Sequence, residues 1–449
     1  MAKNKISIFK IIIFAVLILI GIGVRTIPVN NLKNGDILVH LDWSKTLYKQ
    51  GLNNIYFYPN WLYSPPTQPP LMMMGFWASR HLYENRYLLS ELHNSTRLPP
   101  ASVILWFDKY GEFLLLRLWA TLGDIACAFF VYFLIKKHLK NFKIALLGFI
   151  FMLFNPLSLF ETTIWGQNDI ISVLFAYLAF LSIKSKKLLF LSPFLYLIGI
   201  LIKPTSLVFV PFYIFYFFKN LKLNKTNILR IIISSVLCFA LIYFSFKPFI
   251  NPNSNPAIEI YNIVVNRITS SSKGLSRASN SGFNLYSLVF EIDKTYGGYQ
   301  ILGLTLDQIG IFFYLILNAI SIFILAKKSK QSAIIKLLFI LFFTAQGTFL
   351  FMTGMLERYF FPAFLASVLL MFLNFRVFGL NMILQNIIWF INLFYSFYQR
   401  DLGWVKTLFE GNSNLLIRTI SLISIINFIL ICKKFIRPSR KYSATNNQD

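Results

Sequence analysis

Five short polar runs interrupt a mostly apolar chain, and their residue types could do chemistry. NGDILVHLDW (34–43) carries Asp36, His40 and Asp42; IYFYPNWLYSPPTQPPL spans 55–71; ETTIWGQNDI (161–170) carries Trp165, Gln167 and Asp169; Lys203–Pro204 stands between two apolar runs; and MLERYFFP (355–362) carries Glu357, Arg358 and Tyr359. A carboxylate near a membrane surface can take the proton of a sugar or lipid-borne hydroxyl, a general-base role of roughly 10²–10⁴-fold. Asp36 is the sharpest candidate, against the plainer reading of a helix cap. Asp42 reads as a second acid, a metal ligand or a helix-surface residue, and Asp169 as a further acid. His40 reads as a hydrogen-bonded interface residue or a ligand. The D-x₃-H-x-D spacing leaves a divalent metal open as cofactor and requires none. Arg358 can grip a phosphate at two points and stays charged, or it snorkels beside Glu357. Lys203 has no loop to solvate it, and a lysine at a membrane edge is functional by default, which points to phosphate binding. Trp165 and Gln167 suit sugar stacking and hydroxyl bonding, although interfacial Trp is ordinary in membrane proteins. Arg117 and Asp124, two helical turns apart, predict a structural bridge or support for the site.

The elements that must position these groups follow from composition. The chain has 449 residues, 43 Lys+Arg against 17 Asp+Glu, a formal net charge of +26, 56% hydrophobic and 13% charged residues, and a mean hydropathy of +0.62. A soluble surface needs about 25% charged residues, so the bilayer is the main solvent. Disordered, collagenous and disulfide-rich secreted classes are excluded. The positive charge falls in short clusters between apolar runs, which is membrane topology rather than a nucleic-acid surface. Twelve apolar stretches approach crossing length: 8–27, 113–135, 144–160, 170–183, 188–202, 204–218, 229–248, 306–326, 337–353, 359–375, 378–397 and 415–432. In lipid each must close its own backbone hydrogen bonds, so the predicted fold is an all-α polytopic bundle.

With the amino terminus inside, the inner segments hold 24 basic residues and a single acid, Asp449. That asymmetry predicts an N-in/C-in topology with a basic cytoplasmic tail, 433–449. The first span lacks a cleavage site and reads as uncleaved. Cys127, Cys238 and Cys432 fall in or beside apolar spans and read as small hydrophobes. Outer segments 28–112 and 249–305 are long, and 398–414 is a shorter third. In the first, QPPLMMMGFWASRHLYENRY predicts an amphipathic helix at the interface. All the polar runs map to the outer boundary, so one integral membrane domain carries its site on that face.

The run GD-x₆-W (Gly35, Asp36, Trp43), followed by the Tyr-rich stretch ending in Pro69, Pro70 and Leu71, resembles the first outer loop of the C-fold glycosyltransferases. NP-x₈-WGQND (Asn155 to Asp169) is similar to the NP…WGQ-x-D signature of bacterial mannosyltransferase-like members and of GPI mannosyltransferase relatives. GMLERYFFP resembles their HERY motif, with Leu356 standing where that motif has His, and SRASNSGFNLYSL (276–288) resembles a late outer-loop element. These matches run in family order from about residue 30 to 362. The resemblance implies an outer-face hexosyltransferase with a polyprenyl- or dolichyl-phosphate sugar as donor and a glycan, lipid or protein as acceptor, while the Lys-, Asn- and Ile-rich usage points to a prokaryotic cytoplasmic membrane. The resemblance also implies Asp36 as base. The chemistry of the remaining candidates then predicts that Arg358 and Lys203 bind the lipid phosphate, while Trp165, Gln167, Tyr359, Glu357 and His40 position the substrates. Rival readings are a secondary transporter, which also commonly has twelve spans, and a lipid-linked glycan ligase or polymerase.

Overall fold

The computed structural model describes residues 8–27, 34–222, 224–269, 277–327 and 331–436; most of the predicted basic tail 433–449 lies outside them. The described chain is largely helical, and helix occupies each of the twelve predicted stretches. Eight of these helices are long and apolar enough to cross a membrane: Ile8–Thr26, Leu118–Leu139, Phe142–Trp165, Lys225–Phe249, Leu306–Ala326, Ala333–Phe351, Phe375–Tyr398 and Gly403–Ile436. Asp169–Ser182, Leu189–Ile202 and Phe361–Leu373 are shorter. At 1.5 Å per residue a 14-residue helix spans about 21 Å, less than a bilayer core.

Hydropathy alone does not separate the inner helices from the outer ones. Ala333–Phe351 is 83% buried, whereas Ile8–Thr26 and Lys225–Phe249 are 11% buried and present Ile, Leu and Phe outward. The largest apolar core surrounds Ala333–Phe351 and Phe361–Leu373. Polar side chains join the last two long helices. Asn381 Nδ2 donates to Asn427 Oδ1 (2.6 Å), Asn427 Nδ2 to Gln385 Oε1 (3.1 Å), and Gln385 Nε2 to Ser424 Oγ (3.1 Å). Between apolar helices such bonds supply the association that lipid exclusion cannot.

The stretch read as a span from 113 is two helices, Ala101–Leu116 and Leu118–Leu139, broken at Arg117 (φ −90°, ψ −4°). The predicted Arg117–Asp124 bridge therefore does not form, because the two residues do not share a continuous helix. Arg117 turns to the carbonyls of Thr163 (2.6 Å) and Phe113 (3.1 Å). Asp124 pairs instead with Arg25 at the end of the first span (2.8 Å), both being buried. Ser158 Oγ (2.5 Å) and Thr162 Oγ1 (2.7 Å) also donate to Asp124. Removing one partner of a buried pair strands the other, so Asp124→Leu is expected to cost about 3–5 kcal/mol. Arg25→Leu/Asp124→Leu should recover much of that loss in denaturant melts in detergent. A double variant no more stable than the single one would remove the pair from the packing.

Within the predicted outer segment 28–112, the described residues from 34 on form the α-helices Gly35–Gln50, Pro70–Glu84, Tyr87–Thr96 and Ala101–Leu116. The expected amphipathic helix is Pro70–Glu84, whose Met72, Met73, Phe76 and Tyr83 are buried. Met72, Met73 and Phe76 pack in a second apolar core with Ile37, Trp43 and Leu47. Asp42 fastens the Tyr- and Pro-rich stretch to this layer by accepting from the backbone N–H groups of Leu62 (3.0 Å) and Tyr63 (3.3 Å). Trp43 Nε1 adds a bond to Ser64 O (2.8 Å).

Candidate active site

Three backbone devices bring the polar runs together. Asn34 caps the helix Gly35–Gln50, its Oδ1 accepting from Ile37 N (2.9 Å), and its Nδ2 reaches the carbonyls of Ile164 (3.2 Å) and Trp165 (3.0 Å). One residue thus starts the helix that carries Asp36 and ties it to the WGQND turn. That turn has its own punctuation. Asn155 caps and Pro156 opens the short helix Pro156–Leu159, a wide turn follows over Phe160–Trp165, and Gly166 ends it with φ +80°. The positive φ at Gly166 favours glycine, and a Cβ there would also press on Ile37 Cδ1 (2.8 Å), on the Asp36 helix. The third device is Lys203–Pro204. Pro204 forces Lys203 into extended backbone (φ −157°, ψ 133°), which stops the helix Ser192–Ile202 and turns the lysine back toward the WGQND turn.

Arg358 arrives by a short pairing. Met355–Leu356 runs parallel to Ser279–Asn280, with Ser279 opposite Met355 and Asn280 opposite Leu356. Gly282 approaches closely enough that a Cβ there would meet Met355 O at 2.7 Å. Asn392 clamps this segment, accepting from Phe283 N (3.0 Å) and donating to Ser281 O (2.6 Å). The two runs that resemble late family motifs are therefore adjacent, and Leu356 is a pairing residue of that contact. Ser276 lies outside the described residues.

Asp36 stands at the meeting point. Its Oδ2 accepts from Trp165 Nε1 (2.8 Å) and Gln167 Nε2 (2.6 Å), and Arg358 Nη1 lies 3.8 Å away. Its Oδ1 has no hydrogen-bond partner among the described residues, and the side chain is 39% exposed. Arg358 also bonds Glu357 Oε1 (2.6 Å) and sits over the Trp165 ring at 5.6 Å. Behind this front lies a buried layer. Lys203 Nζ donates to Gln167 Oε1 (2.8 Å) and to Asp169 Oδ2, with Lys203 and Asp169 both buried. Glu161 is fully buried beside Asp169, and among the described residues no donor reaches Glu161 Oε1, Glu161 Oε2 or Asp169 Oδ1.

The charges act on Asp36 in opposition. Burial resists its ionisation, but Arg358 first, then His40, the Trp165 bond and Lys203, outweigh burial and hold the carboxyl below its usual range. His40, one turn along the same helix, stacks on Phe76 (4.6 Å between ring centres). Burial lowers its imidazole to about 4, against the pull of Asp36, so it is neutral at physiological pH. Glu357 is raised by burial, with Arg358 opposing. Arg358 is held charged: the neighbouring Glu357 and Asp36 overcome its burial.

Of the residues singled out in the sequence, Asp36, His40, Trp165, Gln167, Asp169, Lys203, Glu357, Arg358 and Tyr359 come together. Asp42 does not, because six positions along a helix turn it away from Asp36 and toward Leu62 and Tyr63. Lys203 belongs to the buried layer and reaches the front through Gln167, while Arg358 faces Asp36. Sequence reasoning missed Asn34, whose signal was its place just before the helix, and Glu161, which had no signal beyond being the first residue of the polar run 161–170. Among the described residues no group of three or more His, Cys, Asp or Glu is placed to hold a metal ion. No family model matches the chain, and no curated protein matches it.

Proposed function

We propose that the chain is an integral membrane glycosyltransferase, crossing twelve times with both termini inside. It moves a hexose from a polyprenyl-phosphate donor to an acceptor hydroxyl at the outer face of the cytoplasmic membrane. One observation carries this reading: Asp36 has one oxygen fixed by Trp165 and Gln167 and the other open, with the Arg358 guanidinium 3.8 Å away. A base and an anion clamp are side by side, as transfer from a sugar phosphate needs.

The chemistry is a single inverting displacement. The acceptor hydroxyl gives its proton to Asp36 Oδ1 while its oxygen attacks the anomeric carbon. The bond from that carbon to the phosphate oxygen breaks, and the electron pair leaves on polyprenyl phosphate, which Arg358 neutralises. Asp36 alone is a weak base because Arg358 stabilises its charge. An incoming phosphate shares that guanidinium, which raises the basicity of Asp36 when the donor is present. Gln167, held by Lys203, and Trp165 keep the carboxylate aimed. A donor that has already crossed on a lipid fits a site on this face.

Two results test this reading. The product should carry inverted anomeric configuration by NMR; retention would exclude the single displacement. In the free enzyme the acid limb of kcat/KM should lie below the ordinary aspartate range of about 3.9. Asp36 must be ionised to accept a proton, so activity is lost as pH falls through its lowered pKa. An acid limb well above that range would exclude Asp36, with its lowered pKa, as the base.

A second reading is carried by the buried Glu161–Asp169–Lys203 group, because ionisable clusters within the membrane also serve proton-coupled transport. Proton uptake into liposomes with no glycoside formed would favour it.

A further inference from the structure

We infer that the hairpin Gln300–Thr305 is a lipid contact, with Leu302 entering the apolar edge of the bilayer beside the helix Leu306–Ala326. The observation that points there is a residue of the wrong type in a costly conformation. Gln300–Ile301 pairs antiparallel with Leu304–Thr305, leaving Leu302 and Gly303 as a two-residue turn. Both have positive φ, +50° at Leu302 and +81° at Gly303. Such turns favour Asn-Gly, because a side chain branching from Cβ or carrying bulk gains nothing in the left-handed region. Leucine is disfavoured there, and the protein returns nothing for it: Leu302 is 99% exposed. A strained, wholly exposed leucine needs an apolar partner outside the chain.

The neighbouring surface says which partner. Ile301, Leu304, Tyr296 and Tyr299 are also exposed, and the apolar outer face of the next helix continues from them through Ile311, Phe312 and Leu315. That helix is one of the eight long enough to cross a membrane, so the hairpin extends a surface that faces lipid. Exposed tyrosines at the start of a span are the usual occupants of the headgroup boundary. A water-soluble protein partner would leave this continuity unexplained.

The hairpin is fixed to the span and to the candidate site. Leu306 N donates to Tyr299 O (2.9 Å) and Asp307 N to Gly297 O (3.0 Å), while Thr305 and Gln308 cap the helix reciprocally. Asp307 Oδ1 accepts from Thr353 Oγ1 (2.6 Å), and Gly354 N donates to Arg277 O (3.1 Å). Arg358 follows four residues later. The lipid contact thereby sets where the Arg358 loop rests over the bilayer, although the contact itself does not depend on the transferase reading.

The test is spin labelling of the full chain in liposomes of phosphatidylglycerol and phosphatidylethanolamine. Leu302→Cys is compared with Asn253→Cys on an exposed loop, after subtracting label on Cys127, Cys238 and Cys432 in the unsubstituted chain. The label at 302 should collide several-fold more with oxygen, and several-fold less with a nickel chelate, than the label at 253. Chelate access at 302 equal to that at 253 would overturn the inference. If Leu302→Cys does not accumulate, Leu304→Cys reads the same hairpin with the same two outcomes. Leu302→Asn, which suits the turn, should keep the melting temperature in detergent. A large drop would mean that Leu302 is packed in the protein, and would also overturn it.

Discussion

Asp36→Asn is expected to lower turnover by roughly 10²–10⁴-fold, the usual contribution of a positioned base. The amide is nearly isosteric, but an Asn side-chain oxygen is a poor proton acceptor, so the loss should appear in kcat. Fold should survive: Trp165 Nε1 and Gln167 Nε2 need only an acceptor at the Oδ2 position, which the amide oxygen supplies. The check is turnover beside a detergent melt of the same preparation. Lost turnover with an unchanged melt assigns chemistry to Asp36. Unchanged turnover would move the base to Asp169, since Asp42 is committed to the backbone of Leu62 and Tyr63.

Arg358→Ala is expected to be nearly as damaging. Removing a preorganised donor from a developing anion costs about 2.7–4 kcal/mol, or 10²–10³-fold. The donor requirement should also rise, because the same guanidinium is proposed to hold the phosphate before and during transfer. Arg358→Lys keeps the charge and loses the planar guanidinium whose Nη1 stands by both Glu357 and Asp36, so an intermediate rate is expected. The two losses should not add. Asp36 and Arg358 face each other at 3.8 Å, and Arg358→Ala in the Asp36→Asn background should cost less than in the native chain. Steady-state kinetics of the four chains gives the coupling, and near-normal kinetics for Arg358→Ala would remove Arg358 from the mechanism.

The helical segments were legible because an apolar run in lipid has one way to satisfy its backbone. The meeting of four of the polar runs was also legible, since they fell beside the ends of apolar stretches, whereas the run 55–71 is tied to Asp42 instead. Partners were harder to read. Arg117 and Asp124 looked paired by helical spacing, yet a single break at Arg117 sent them to different places, and Arg25, about a hundred residues from Asp124, took the bond. Lys203 looked like a free cation at a membrane edge. Its partner Asp169 was visible in the sequence, but the pairing depends on how Pro204 turns the chain. Glu161 could not be read at all. Nothing in ETTIW shows that a wide turn places this carboxyl against Asp169, whereas the neighbouring Gly166 does carry a readable signal of a tight turn.

Reconstitution tests the proposed activity most directly. Purified protein in liposomes would receive a panel of polyprenyl-phosphate hexoses and a crude envelope lipid fraction as acceptor, with free polyprenyl phosphate and new glycoside measured together. Equal amounts of the two products from one donor, formed by the native chain and lost in Asp36→Asn, are expected. No release from any donor, in the presence of acceptors proven competent, would contradict the transferase reading.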